Sequence, residues 1–235
     1  VLSGDIEPKT AKLLAEKYFG KIKPRPVGAK ADFPKLDRHF AGRLEMKLPQ
    51  IKTVRLTKSY IAPSFNTNRE AVYPLLVLSA YLGEGETSKL YKKLVLEEKN
   101  ALGVSVAYDF ASRSYGGFSI SAMPKEDVDA KAFETALDKA VKEALAEISV
   151  EEIEKTKGKM LAGQVYLRDN PNDAAYIAGS MAAVGMSVED IENHADNIRK
   201  VSAGDVRKAA EKLFGRAINV TGNIGRIIRI VAQIN

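Results

Sequence analysis

Side chains suited to metal or acid–base chemistry are scarce in this chain of 235 residues, which holds two histidines and no cysteine. His39 and His194 lie far apart, and neither has a second histidine or a carboxylate at metal-ligand spacing. A zinc site needs three or four converging ligands, and two of its histidines often share one turn of helix. We therefore predict no metal ligand and no bound cofactor in this chain, and we predict that both imidazoles are exposed to solvent.

Motifs for serine or phosphate chemistry are also missing. A nucleophile elbow has the form G-x-S-x-G, and the nearest match, Gly117-Phe-Ser119, lacks the second glycine and alternates as a strand does. The segment Gly83-Glu-Gly-Glu-Thr-Ser88 precedes a predicted helix, but two acidic residues occupy the place of an anion and no lysine follows in P-loop register. A turn with a helix cap is the better interpretation, so we predict no catalytic residue.

Hydrophobic periodicity predicts the elements that position these residues. Residues 1–5 are expected to end a buried strand, and Pro8 to Gly20 are expected to form a helix with its stop. Alternating patterns predict strands over 44–48, 54–62, 102–110, 117–123 and 217–221. Helical patterns predict helices over 71–82, 88–98, 129–147, 149–167 and 173–186, and two more that begin at Ser187 and Ser202.

Helices that cluster after an antiparallel sheet are typical of the α+β class. We therefore expect an α+β fold in which helices pack on one face of an antiparallel or mixed sheet. We also expect no internal repeat along the chain.

The positive charge of the chain is concentrated in one segment. Between Lys21 and Lys58 there are 11 lysines and arginines against 3 acidic residues, an excess of 8, whereas the remainder has 25 against 27. Much of this segment is punctuated by proline and glycine and lacks the helical face or interleaved aromatics of a nucleic-acid site. It is expected to be a solvated linker, with no nucleic-acid partner.

The overall composition is that of a globular protein, with 45% apolar and 28% charged residues. Disorder is excluded because this apolar fraction is enough to bury a core. No apolar run approaches the roughly 18 residues that cross a bilayer, so we expect a soluble chain without a membrane span.

Three segments of the sequence resemble a known family. The run from Tyr81 to Val95, YLGEGETSKLYKKLV, is similar to the L-G-x-G-x-x-S-R-L-Y-x-x-L-V helix of bacterial, mitochondrial-processing-peptidase-like members of the pitrilysin/insulinase family of zinc metallopeptidases. The closing segment from Ser202 to Gly222 resembles the last helix and strand of the same repeat domain. Val1 to Gly20 resembles the end of a preceding domain.

The resemblance implies a domain organisation. Residues 1–20 would be the β-α tail of a preceding, zinc-bearing domain, 21–43 a basic interdomain linker, 44–222 a complete second domain, and 223–235 an unassigned tail. The fold would then be one family repeat domain plus the tail of the one before it.

The resemblance also implies a function. The chain would be the C-terminal, non-catalytic domain of a zinc metalloendopeptidase and would close a chamber around a peptide. The parent would cleave peptides with zinc-activated water, through an H-x-x-E-H motif and a distal glutamate in the first domain. This chain contains no H-x-x-E-H motif, so by itself it is expected to be inactive.

Some second domains of the family hold substrate with an arginine and a tyrosine that are absent here, since the matching positions read Val95-Leu-Glu97 and Val104. The resemblance therefore implies that a second subunit or a homodimer mate supplies this pair. Arg113 and Tyr115 lie nearby in a predicted hairpin turn, where they are either surface turn residues or contacts for peptide substrates.

A different class of function stays open at this point. The chain could be a free-standing, non-catalytic structural or partner subunit of a processing-peptidase-like complex. The absence of cysteine fits any compartment, and the resemblance to bacterial members leaves the cytoplasm and the periplasm as the two alternatives.

Overall fold

The structure is a computed structural model that describes residues 2, 4–26, 28, 41–48, 51, 53–168, 171–215 and 219–225. The described strands are β1 Gly42–Lys47, β2 Arg55–Ala62, β3 Ala101–Asp109, β4 Gly116–Pro124 and β5 Asn219–Gly225. The described helices are α1 Pro8–Phe19, α2 Arg69–Gly83, α3 Lys89–Tyr91 with a π-helical continuation over Lys92–Glu97, α4 Ala130–Ala146, α5 Val150–Arg168, α6 Pro171–Ala183, α7 Val188–Glu192, α8 His194–Lys200 and α9 Ala203–Phe214.

The five strands form one mixed sheet in the order β1-β5-β2-β4-β3. β1 runs parallel to β5, and the other neighbouring pairs are antiparallel. β2 is buried at every second residue, as expected for a sheet with one face on the core. The α+β prediction is confirmed.

The core lies between one face of the sheet and the helices, and it is built around α2. This helix is buried along most of its length, and its C-terminal residue Gly83 comes so close to β3 that an added Cβ would lie 2.5 Å from the backbone nitrogen of Val106. A glycine is therefore required where α2 meets the edge of the sheet.

Several helix starts follow the predicted caps. Ser187 and Ser202 each accept a hydrogen bond from the backbone N–H of an aspartate three residues later, and each aspartate accepts one in return from the serine N–H. These two capping boxes fix where α7 and α9 begin.

Two predictions about the chain ends need correction. The predicted buried strand at residues 1–5 does not form at the described positions 2, 4 and 5, and the Leu2 side chain is 72% exposed. The closing strand was expected to end at Thr221, but β5 runs to Gly225, where it pairs with Lys47 of β1. Residues 223–225, placed in the unassigned tail, therefore belong to the sheet, because β1 and β2 offer them hydrogen-bond partners.

Candidate functional site

The turn between β3 and β4 carries the two residues that the sequence singled out for peptide contact. Arg113 is exposed and Tyr115 is half-buried, and both lie in the segment of 110–115 that joins the two strands. The structure thus places them together on one hairpin turn, as predicted. Their contact with substrate stays a prediction.

The side chain of Asn66 holds this turn in place. Its Nδ2 atom donates to the carbonyl oxygen of Ser112 at 2.9 Å and to that of Val184 at 2.7 Å. The backbone N–H of Phe65 donates to the carbonyl of Phe110 at 3.0 Å. The loop after β2, the β3–β4 turn and the loop after α6 are therefore joined at one end of the sheet.

A side-chain hydrogen bond and a close backbone approach hold the base of the turn. The Tyr108 hydroxyl donates to the carbonyl oxygen of Pro63 at 2.6 Å. Burial, and then the charge of Asp109, raise the pKa of the Tyr108 phenol, which keeps it protonated as a donor. A Cβ on Gly116 would lie 2.1 Å from the carbonyl oxygen of Asp109, so the hairpin closes only with glycine at that position.

His194 lies under this region, and the prediction that it is exposed is wrong. Its ring stacks on Phe110, with 6.1 Å between centroids and 21° between planes, and lies 5.4 Å from the ring of Tyr73. Its Nδ1 atom is buried and has no hydrogen-bond partner in the described structure. Burial lowers the pKa of His194, so the neutral imidazole is favoured. Tyr73 belongs to α2, and Phe110 follows directly after β3. Neither contact could be predicted from the helical pattern around residue 194.

The face of the sheet turned away from the helices is almost free of charge. Cross-strand register places two rows of outward-facing residues across all five strands: Gly42, Val220, Ser59, Ser119 and Ala107, and Leu44, Gly222, Thr57, Ser121 and Ser105. We call these two rows the open face. Within them the hydroxyls of Thr57 and Ser121 hydrogen-bond at 3.1 Å, and Leu44 is 47% exposed. On β2 and β3 the charged residues of this face are Arg55 and Asp109, at opposite ends.

Metal ligation is absent from the described residues, which contain no group of three or more His, Asp or Glu side chains that could hold an ion. His39 lies outside the described residues. Zinc therefore does not fit the part of this chain that the structure describes. Among the same residues, no helix is both long enough and apolar enough to span a bilayer.

The sequence matches the family profile described as the peptidase M16 inactive domain over residues 1–160. The chain therefore belongs to this family of zinc metallopeptidases. It corresponds to the inactive domain, which is the C-terminal half of such a peptidase. The resemblance seen in the sequence is confirmed. No protein of curated function matches the chain.

Solved structures share the fold at low sequence identity. A protease from Helicobacter pylori is 18% identical, with a TM-score of 0.82 over 95% of this chain and 53% of that one. The peptidase M16 inactive domain from Pseudomonas fluorescens is 16% identical, with a TM-score of 0.75 over 96% of this chain and 52% of that one. The periplasmic protease PqqL from Escherichia coli is 14% identical, with a TM-score of 0.69 over 94% of this chain and 24% of that one. The chain thus spans about half the length of the first two proteins.

Proposed function

We propose that this chain is the C-terminal, non-catalytic half of a zinc metalloendopeptidase and that it closes the peptide-binding chamber against a zinc-bearing first domain. Zinc and the hydrolytic residues would belong to that first domain. The observation that carries the chamber role is the open face, a broad sheet surface of hydroxyl, glycine and apolar residues with no charge in its two rows.

A face of this composition suits a surface that meets many different peptides. Burying a charge without a partner is costly, so a wall with fixed charges would discriminate strongly among peptide sequences. Ser59, Ser119 and Ser121 offer rotatable hydroxyls that can donate or accept, and they leave little bulk to exclude a side chain. Such a surface would enclose a peptide without selecting for a particular sequence motif.

The edge of the sheet gives an extended peptide a second means of binding. β3 lies at the edge in the described sheet, and over Ala101–Asp109 only the last residue is charged. An edge strand leaves backbone N–H and C=O groups free to pair with an added strand. Arg113 lies in the turn that follows this edge strand and would offer its guanidinium to an acidic group of the peptide.

A charge placed in the middle of the open face tests the chamber role. In a polypeptide that joins the zinc-bearing half to this chain, we expect Ser119→Arg to raise KM for a neutral peptide at least tenfold while thermal stability changes little. Ser180→Arg is the matched control, because Ser180 is exposed on α6. Equal KM values for the two variants would contradict the chamber role.

The turn is tested separately from the open face. We expect the double variant Arg113→Ala, Tyr115→Ala to weaken peptide affinity of the joined polypeptide several-fold with the fold intact. Unchanged affinity would remove the turn from the site. A joined polypeptide without peptidase activity would favour the structural-subunit alternative.

A further inference from the structure

A cleft between helices lies beside the loop at residues 83–88, for which the sequence favoured a turn over a phosphate cradle. Its walls are the end of α2, this loop, the start of α3 with its π-helical continuation, and the first half of α5. Its volume is about 240 Å³, and among the described residues no strand contributes to its lining. The cleft is therefore a second concave surface, separate from the open face and not used by the proposed function.

The fold brings to this loop the lysines that its own sequence lacks. Lys155 and Lys159 of α5 line the cleft. The Nζ atom of Lys159 donates to Oγ1 of Thr87 at 2.5 Å, across 72 positions of the chain. Of the two acidic residues that argued against an anion in this loop, Glu84 lines the cleft and Glu86 does not. Packing of α5 therefore supplies cations where sequence spacing alone predicted none.

Positive charge exceeds negative charge on the walls of the cleft. The lining includes four lysines, Lys89, Lys92, Lys155 and Lys159, and two carboxylates, Glu84 and Glu152. The Nζ atom of Lys89 is occupied, since it lies 2.9 Å from a carboxylate oxygen of Glu147 and 3.7 Å from one of Glu152. Lys92 and Lys155 form no ion pair within the part of the chain that the structure describes. A cleft lined by an excess of one charge concentrates ions of the opposite sign.

One hydroxyl group of the cleft has a proton to offer. The Ser88 hydroxyl donates to the Gly85 carbonyl at 2.7 Å, and the Thr156 hydroxyl donates to the Glu152 carbonyl at 2.8 Å. The Thr87 hydroxyl accepts from Lys159 and donates to no group among the described residues. Because a hydroxyl can donate while it accepts, Thr87 can donate to a ligand next to the Lys159 ammonium.

We propose that this cleft binds a multiply charged oxyanion of the phosphate class, with Lys92, Lys155 and Lys159 as its cationic contacts and the Thr87 hydroxyl as a donor. Pockets for drug-sized ligands have volumes of about 300–1,000 Å³, so the smaller cleft suits a small ligand. Lysine ammonium groups act as point charges with rotatable donors, which suits oxygens that point in several directions. A planar carboxylate is matched best by arginine, and no arginine lines the cleft.

The first test is a calorimetric titration of the 235-residue chain with inorganic pyrophosphate, at constant ionic strength and without divalent metal. We expect saturable binding to one site. Lys92→Gln and Lys155→Gln should each weaken it about tenfold, the loss of one hydrogen bond to a charged group. Lys142→Gln is the matched control, because Lys142 is exposed on α4, forms no ion pair among the described residues and does not line the cleft. No saturable binding, or an equal loss in all three variants, would overturn the site.

Two neighbouring glutamates of α5 test the position of the anion with the opposite sign. Glu152 lines the cleft, whereas Glu151 is exposed and does not. Glu152→Gln should strengthen pyrophosphate binding several-fold, because it removes a negative charge from the wall and releases Lys89. Glu151→Gln changes the net charge of the chain equally and should have little effect. Equal effects of the two variants would mean a general attraction to the chain and no site.

The hydroxyl is tested without any change of charge. Thr87→Val should weaken pyrophosphate binding several-fold at an unchanged melting temperature. Thr156→Val is the control, because the Thr156 hydroxyl also lines the cleft but its proton is engaged by the Glu152 carbonyl. Equal affinities in the two variants would show that the loop takes no part in binding and would overturn the site as proposed.

A parallel titration with ADP separates two sources of the same chemistry. Equal affinities for ADP and pyrophosphate would identify the phosphate groups alone as the ligand, and tighter binding of ADP would identify a nucleotide. Either result supports the cleft, whereas binding of neither anion would overturn it. These measurements do not use peptidase activity, so the inference is tested independently of the proposed function.

Discussion

The two faces of the sheet distribute charge in opposite ways. The face under the helices carries Lys58, whose residue is 6% exposed and whose Nζ lies 3.5 Å from a Glu134 carboxylate oxygen and also pairs with Asp138. Arg43 of β1 joins the same group through Glu134 at 2.8 Å. Charged side chains thus lie on the face where Glu134 and Asp138 of α4 pair with them. The open face, which is proposed to contact different peptides, lacks charge in its two rows.

The buried group also affects its neighbour in the core. Burial, and then the charge of Asp138, raise the pKa of Tyr60 to about 12. Tyr60 is therefore a neutral, packed side chain at any ordinary pH, which suits its contact with Phe214. We therefore expect the helix side of the sheet to contribute most to folding stability and the open face to contribute little.

Neighbouring residues on β4 give the largest predicted difference between the faces. Phe118 is fully buried, and Phe118→Ala should lower the free energy of unfolding by about 3–5 kcal/mol, because it leaves a cavity in the core. Ser119→Ala, on the open face, should change it by less than about 0.5 kcal/mol. Urea denaturation of the two variants measures both values. A comparable loss in both would mean that the open face is part of a packed core.

Removal of the buried lysine should have the next largest effect. Lys58→Ala leaves Glu134 and Asp138 without their shared cation, and we expect a loss of about 2–3 kcal/mol, below the upper range for buried pairs because Asp138 is half exposed. Lys139→Ala is the control, since Lys139 is exposed and its pair with Glu143 on the same helix contributes about 0.3–0.5 kcal/mol. If both variants lose the same amount in denaturation, the ion group under the sheet adds nothing.

The hydroxyl pair of the open face should contribute less than the ion group. Ser121→Ala removes the partner of the Thr57 hydroxyl at 3.1 Å, and we expect a loss of about 0.5–1 kcal/mol in urea denaturation, because the pair is partly buried. Ser105→Ala, in the same row, serves as the comparison. A loss of several kcal/mol would place the open face among the elements that hold the fold together.

Acid should act on the helix side through His194. Its pKa is lowered in the folded chain, so the unfolded chain takes up the proton first as pH falls below its ordinary value of about 6.5. This contribution to stability is present above about pH 6.5 and declines as pH falls toward the folded pKa. His194→Phe should flatten the slope of unfolding free energy against pH in that window, by at most about 1.4 kcal/mol per pH unit. An unchanged slope would mean that His194 is solvated.

The sequence predicted most of the elements because their signals are local. Alternation in β2 to β4 and the serine caps of α7 and α9 depend on residues within a few positions of one another. The missed features depend on distant partners. β5 extends past Thr221 because β1 and β2 pair with it, and His194 is half-buried because Tyr73 and Phe110 reach it from other elements.

The candidate site was predicted only in part, for the same reason. The resemblance singled out Arg113 and Tyr115, and the pattern of turn residues predicted that they lie in the hairpin turn between β3 and β4. Asn66, which bonds to Ser112 and Val184, had no signal in the sequence, since its two acceptors are 46 and 118 positions away.

The parallel pairing of β1 with β5 determines how a pulling force would enter the domain. Gly42 pairs with Val220 and Lys47 with Gly225, so the segment before Gly42 and the segment after Gly225 leave from opposite ends of the pair, about 20 Å apart. Tension between these two segments would load all the β1–β5 hydrogen bonds together in shear, and they could not open one after another. A domain pulled at these two points would resist mechanical unfolding, and the strands of its open face would keep their register under load.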